Sequence, residues 1–194
     1  MIFYFWGVRI EVSYILFCVL TLFIATDKTG LYCPMVLSAL VHEVFHIIFL
    51  MFFRCRIIGI KLVIGTVGIE YEENLNTTER IIALIAGPFA NLLLAMISYI
   101  LNNKELCAIN IILALYNLLP IRGVDGGSVI ECLIARFFGD RCANIILNIL
   151  TIFVSLAFLV LFGYMLATKS PNYSILLFSI YLITPLIAKK LVER

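Results

Sequence analysis

Apolar residues are gathered along the chain in long runs, and polar residues are confined mostly to the short segments between them. A run of about 20 apolar residues is long enough to cross a membrane as a helix. The fourth run is shorter, breaks at Pro120 and resumes from Gly126 to Phe138, as a helix does where it faces protein or a water-filled cavity. The pattern predicts an all-α integral membrane protein with about six transmembrane helices, over residues 12–26, 31–53, 78–101, 104–119, 144–167 and 174–191.

The periodicity changes between the second and third apolar runs. Residues 57–64 and 66–71 are rich in β-branched side chains, and Gly65 between them marks a turn, which predicts a small β-hairpin at the membrane surface. Residues 5–12 are expected to be able to add a third strand. Two interpretations remain open: a free strand edge that accepts an extended substrate, or a connector that lies on the membrane.

Composition supports a membrane protein. The chain is 63% hydrophobic and 13% charged with a mean hydropathy of +1.12, whereas soluble domains are about 45–50% apolar. Its 194 residues predict a single domain, residues 1–194, and a net charge of +2 is too small to indicate nucleic acid binding. The N-terminus has neither a basic segment nor a small-residue cleavage site, so we expect it to be retained.

Six scattered cysteines form no C-x-x-C pair and are expected to act as small apolar residues. Cys55, between Arg54 and Arg56, is the one candidate for a reactive thiol, although a plain interfacial residue is the favoured interpretation.

Basic residues are distributed unevenly between the two sides of the predicted membrane. With Arg122 left out, ten lie on the side of both termini and three on the other, which predicts cytoplasmic termini in the cell membrane by the positive-inside rule. The ten are Arg9, Arg54, Arg56, Lys61, Arg80, Arg136, Arg141, Lys189, Lys190 and Arg194, and the three are Lys28, Lys104 and Lys169.

The second apolar run contains both histidines of the chain, four residues apart in the pattern H-E-x-x-H. Positions four apart share one face of a helix, so His42 and His46 can ligate one metal ion. Glu43 can then reach a metal-bound water and act as general base. Ionisable groups inside a membrane are costly unless they are paired or liganded, which favours a metal site and peptide hydrolysis within the bilayer.

A catalytic zinc needs a third protein ligand, and without another histidine this must be Asp, Glu or Cys. Asp125 is the only carboxylate beside the break in the fourth run, within the segment 117–127, whose glycines permit a sharp turn. Alone it could be a turn residue that caps a helix. Together with the histidine pair, it becomes the candidate third ligand.

Three motifs give the chain a resemblance to the site-2 protease family of intramembrane zinc metalloproteases. They are H-E-x-x-H, the G-P-x-x-N element of residues 87–91, and N-x-x-P-x-x-x-[L/V]-D-G-G, here residues 117–127. The resemblance covers about residues 5–140 and is greatest to the sporulation-type branch, that of stage IV sporulation protein FB. Two departures stand out: Phe45 occupies the position where the family usually has glycine, and the 194 residues contain no PDZ or CBS segment.

The resemblance implies Zn²⁺ held by His42, His46 and Asp125, with Glu43 as the catalytic base. It also implies that Asn117 and Pro120 hold the substrate backbone near the metal. The expected activity is hydrolysis of a membrane-embedded or membrane-associated protein, in regulated proteolysis of a sigma-factor-type or signalling substrate. Expected partners are that substrate, membrane inhibitor or regulatory proteins and the lipid bilayer, with no nucleic acid.

Other interpretations remain open at this stage. A catalytically silent relative could bind membrane helices as a chaperone or adaptor, although it would not need Glu43. A metal transporter would place polar groups along a pore instead of at one depth. Gly87 and Pro88 favour helix packing, Asn91 could hydrogen-bond near the metal, and Arg122 is expected to snorkel to the interface rather than stabilise an oxyanion.

Overall fold

The computed structural model describes residues 1–5, 7–63, 66–72, 74–168, 176 and 179–182. The chain divides into two compact units, an N-terminal unit (Met1–Asn117) and a C-terminal unit (Leu118–Arg194). The single metalloprotease domain of residues 1–194 stays a prediction. The elements are β1 (Ile2–Phe5), β2 (Val8–Val12), α1 (Tyr14–Thr26), α2 (Tyr32–Phe52), β3 (Ile57–Val63), β4 (Thr66–Tyr71), α3 (Thr77–Ile100), α4 (Lys104–Asn117), α5 (Asp125–Phe138) and α6 (Asp140–Ala167).

The N-terminal unit contains a four-stranded sheet, so the prediction of a two-stranded hairpin is corrected. The strand order is β1-β2-β3-β4, with antiparallel outer pairs and a parallel central pair. Parallel strands need a long crossover, which α1 and α2 provide between β2 and β3. The predicted third strand is present as β2. The strand β1 was not predicted, because it lies within the apolar start of the chain. The predicted turn at Gly65 lies outside the described residues.

Charged side chains cross-link the sheet. Glu70 pairs with Lys61 at 2.5 Å and with Arg9 at 3.4 Å. Gly59 lies between Arg9 and Glu70 in the strand register, and a Cβ there would be 3.0 Å from the Glu70 carboxylate. The Lys61 hydrogen bond holds the pKa of Glu70 below its usual range, because it outweighs desolvation and adds to the attraction of the two cations.

Asp27 ties the end of α1 to the start of α2. Its Oδ1 accepts the backbone N–H groups of Thr29 at 2.9 Å and Gly30 at 2.8 Å, and its Oδ2 accepts that of Tyr32 at 3.0 Å. Desolvation raises the pKa of Asp27, but these hydrogen bonds together outweigh it and lower the pKa.

Helix α3 supplies the face on which α2 and α4 pack. A capping box starts it: Asn76 Oδ1 accepts the N–H of Glu79, and Glu79 Oε2 accepts the N–H of Asn76, each at 2.9 Å. Its buried face carries small residues, which let neighbouring helices approach closely: Ala83, Ala86, Gly87, Ala90 and Ala95.

Six membrane spans are not all present among the described residues. Three described helices, α2, α3 and α6, are long and apolar enough to cross a membrane, and α1 is apolar but has 13 residues. The predicted span 174–191 lies largely outside the described residues. The fourth predicted span is two separate helices of 14 residues each, α4 and α5.

Helix boundaries differ from the predicted ones where a backbone feature intervenes. Helix α1 starts at Tyr14 instead of residue 12, because Val12 is the last residue of β2. Helix α6 starts at Asp140 instead of residue 144, directly after Gly139 with its φ of 81°. In the C-terminal unit, α5 and α6 pack against each other.

Cys55 is a buried residue, and its position at a membrane interface stays a prediction. It is 4% exposed, and its thiol donates to the Glu72 carbonyl at 3.2 Å. Burial and the nearby Glu72 charge raise the pKa of the Cys55 thiol, which opposes formation of a reactive thiolate.

Candidate metal centre

The two histidines of α2 lie side by side in the interior of the protein. His42 is 4% exposed and His46 is 8% exposed. Their Nε2 atoms are 3.1 Å apart, and the rings are nearly perpendicular at 83°. The helical spacing therefore brings two ring nitrogens to one point, as metal ligation requires.

A backbone carbonyl of α3 orients His46. Its Nδ1 lies 2.7 Å from the Ala83 carbonyl oxygen. A carbonyl can only accept, so Nδ1 carries the proton and Nε2 keeps its lone pair for a metal. Sequence reasoning did not identify Ala83, because a backbone contact leaves no side-chain signature.

Asn91 orients His42. This fully buried amide places Nδ2 3.1 Å from His42 Nδ1, and its Oδ1 accepts no hydrogen bond from the part of the chain that the structure describes. With Nδ2 donating, His42 would carry its proton on Nε2, toward His46. Rotation of the amide would turn Oδ1 toward an Nδ1–H and leave His42 Nε2 available as a ligand. Asn91 can therefore hydrogen-bond to His42 in either tautomer: the one with the proton on Nε2 and the one that leaves Nε2 free to ligate a metal.

Gly87 keeps the space beside the two imidazoles clear of side chain. A Cβ at this position would lie 2.3 Å from His46 Nε2 and 2.6 Å from His42 Nε2. Even the smallest side chain would therefore occupy the place where an ion held by both rings would sit. Close packing was the favoured interpretation of Gly87 from the sequence, and the structure adds this second reason for glycine.

Glu43 and Asn117 line one cavity with His42 and Asn91, all within the N-terminal unit. The cavity has a volume of about 320 Å³. Asn117 is the last residue of α4, and its Nδ2 donates to the Leu113 carbonyl at 3.1 Å. The structure thus places the predicted base and one predicted substrate-positioning residue on a common cavity with a candidate ligand.

Asp125 and Pro120 belong to the C-terminal unit. Asp125 is the first residue of α5 and is half-buried, and Pro120 lies in the loop that precedes the helix. This loop lies directly against the helix start: a Cβ on Gly126 would be 2.4 Å from the Leu118 carbonyl oxygen, and one on Gly127 1.8 Å from that of Ile121. The two glycines let backbone pack on backbone beside Asp125. The roles of Asp125 and Pro120 stay predictions.

The chain matches no protein-family model and no curated protein. Among solved structures it is similar to the site-2 protease from Methanocaldococcus jannaschii, with a TM-score of 0.70 and 20% sequence identity. The match covers 94% of this chain and 91% of that chain. The chain has a site-2 protease fold. At this identity the likeness shows the fold alone, and the sporulation-type branch stays a prediction.

The predicted snorkelling of Arg122 to the interface stays a prediction, and the structure shows which groups hold the side chain. Its side chain is 11% exposed and is held within the C-terminal unit. Its guanidinium donates to Asn148 Oδ1 at 2.5 Å and to Asn144 Oδ1 at 2.6 Å, and it lies 3.8 Å from the Glu131 carboxylate. Polar residues of α6 thus hold the Arg122 cation, whichever depth in the membrane it occupies.

Proposed function

We propose that this chain is an intramembrane zinc metalloprotease that hydrolyses a peptide bond of a membrane-embedded or membrane-associated protein. The observation that carries the proposal is the convergence of two buried Nε2 atoms 3.1 Å apart beside Gly87. Buried imidazoles aimed at one point, with a glycine opposite, fit a bound ion better than they fit packing alone.

The residues present fit Zn²⁺. Two histidines and one carboxylate, with a water in the fourth position, form a common type of catalytic zinc site. We propose Asp125 as the carboxylate ligand beside His42 and His46, since it starts α5 in the segment that carries the D-G-G sequence. Bound zinc would polarise the scissile carbonyl and activate a water molecule.

The side chains around the site have separate tasks in this proposal. Glu43 accepts the proton of the attacking water and passes it to the leaving amine. The Ala83 carbonyl and Asn91 hold the two imidazoles in orientation. Asn117 and Pro120 position the substrate backbone, which must be unwound because a helical amide is already hydrogen-bonded and sterically shielded.

The biological setting extends the proposal. The apolar helices α2, α3 and α6 and the asymmetry of basic residues support a multi-pass cell-membrane protein with cytoplasmic termini. The motif resemblance to the sporulation-type branch supports a sigma-factor-type or signalling substrate, with membrane inhibitor or regulatory proteins as further partners.

The decisive test is Glu43→Gln in the full chain, co-expressed with single-span candidate substrates. The amide cannot take a proton from water, so we expect cleavage to fall by at least about 100-fold while zinc per protein stays unchanged. Glu105→Gln, the same change at an exposed position of α4, should retain activity. Cleavage by Glu43→Gln at the wild-type rate would exclude Glu43 as the base, and a wild-type chain that binds zinc but cleaves no substrate would favour an adaptor.

A further inference from the structure

Most residues that line the cavity at Glu43 are apolar, and the proposed catalytic mechanism gives them no role. We propose that it binds the substrate side chain next to the scissile bond and selects a bulky, uncharged aliphatic or aromatic residue. This inference rests on the proposed protease function and names the chemistry of its substrate. The volume of about 320 Å³ lies at the lower end of the range for ligand pockets.

The cavity runs from the catalytic residues along α2. Val36, Ala39 and Glu43 all line it, and their spacing of three and four residues places them on one helical face. Seven residues of helix span about 10 Å, so the apolar lining extends that far from Glu43. A side chain attached to a peptide bond at Glu43 would therefore enter the apolar part of the cavity.

The sheet and α1 add further apolar lining. Leu62 of β3 and Val67 of β4 are direct cross-strand partners, so both project from the same face of the sheet. Leu16 and Leu20 of α1 are four residues apart and share one helical face. The sheet and two helices thus contribute branched apolar side chains to one volume.

Charge determines what this volume accepts. Among the described lining residues, Glu43 is the only one with a carboxylate, ammonium or guanidinium group. A charged substrate side chain would lose its hydration without gaining an opposite charge in the apolar part, and a carboxylate would also be repelled by Glu43. An aliphatic or aromatic side chain meets neither cost and gains from leaving water.

The test uses single-span peptides that differ only at the residues flanking the scissile bond, with Leu, Phe, Ala or Asp at each position in turn. Binding is measured in the full-length Glu43→Gln chain, which does not turn peptides over, and cleavage in the wild type. At one flanking position we expect Leu and Phe to exceed Ala by about tenfold or more, and Asp to bind and react least. Equal binding and cleavage of all four peptides at both positions would overturn the proposal.

A filling variant locates the selective site. Ala39→Leu places an isobutyl group in the cavity and should reduce binding and cleavage of the Leu and Phe peptides about tenfold relative to the Ala peptide. Ala108→Leu makes the same change at an exposed position of α4 that is not among the described lining residues, and should leave the ratio unchanged. An unaltered ratio in Ala39→Leu would assign selectivity to another part of the molecule.

The two measurements separate this inference from the proposed function. Selective binding without cleavage by the wild type would support the side-chain site and contradict the protease. Cleavage without selectivity would support the protease and contradict the side-chain site. A photo-reactive residue at position 20 that labels lipid, and not peptide, would show that an acyl chain occupies the cavity, and would also overturn the proposal.

Discussion

Gly87 and Gly127 are both closely packed, but they lie against different kinds of group. Gly87 lies opposite the imidazole nitrogens of His42 and His46, and the space it leaves is bounded by side-chain atoms. Gly127 lies against the Ile121 carbonyl oxygen, so its lack of a side chain is used by backbone packing. In the proposed function the first glycine leaves space for the metal and the second permits backbone packing, so substitution should separate metal loss from stability loss.

The largest expected effect is that of Gly87→Ala. Its methyl carbon would lie 2.3 Å from His46 Nε2, so the rings must move and the proposed ligand pair is disrupted. We expect zinc per protein, measured by elemental analysis, to fall at least tenfold and cleavage by about 100-fold, with only a small change in melting temperature. The control is Gly163→Ala, where a Cβ meets nothing within 4 Å. Full zinc occupancy in Gly87→Ala would contradict the proposed ion position.

Substitution of Asp125 tests whether the tightly packed helix start also carries a ligand. Asp125→Ala should lower zinc content and abolish cleavage, because two imidazoles alone rarely hold a catalytic zinc. Asp125→Glu should keep some zinc with low activity, since the longer side chain misplaces the metal. Glu131→Ala removes the next carboxylate along the chain and should leave zinc unchanged. Full zinc in Asp125→Ala would make Asp125 a turn residue only.

Gly127→Ala should mainly reduce stability. Its Cβ would lie 1.8 Å from the Ile121 carbonyl oxygen, so the loop must move away from α5. Overpacking of this kind costs about 1–3 kcal/mol or more of the free energy of unfolding, measurable by thermal or denaturant unfolding in detergent. The comparison between the two glycines fails if Gly127→Ala melts like wild type, or if Gly87→Ala is the less stable variant.

The smallest expected effect is that of Glu70→Gln in the sheet, whose strands precede both Gly87 and Gly127 in the sequence. The pKa of Glu70 is lowered by Lys61, so its stabilisation is present above the ordinary value of 4.5 and is lost as the pH falls through its folded-state pKa. Melting temperature should therefore decline in acid more steeply for wild type than for Glu70→Gln. Parallel pH profiles of the two proteins would show that the ion pair contributes nothing measurable.

Local patterns were predicted well from the sequence, and long-range ones were not. The H-E-x-x-H spacing depends only on helical geometry, and α2 spans Tyr32–Phe52 where residues 31–53 were expected. The β2–β3 pairing joins residues about fifty positions apart, and no local period encodes it. The contacts of Arg122 with Asn144 and Asn148 were not predicted, because these partners lie more than twenty residues away on α6.

Asn91 lies between these cases. Its position in the G-P-x-x-N element makes it a candidate for a hydrogen bond near the proposed metal. Only packing of α3 on α2 selects His42 as the partner, 49 residues earlier in the chain. The residue types of the site could thus be found in the sequence, whereas their contacts depend on the tertiary fold.

The parallel pairing of β2 with β3 constrains how the chain is threaded through a bilayer. Val12 pairs with Leu62, so the residues before α1 and those after α2 must end on the same side of the membrane. The number of crossings between them is therefore even. If α2 crosses once, then α1 must also cross, although its 13 residues are short for a span. The sheet is therefore compatible with α1 and α2 crossing together and is incompatible with only one of them crossing.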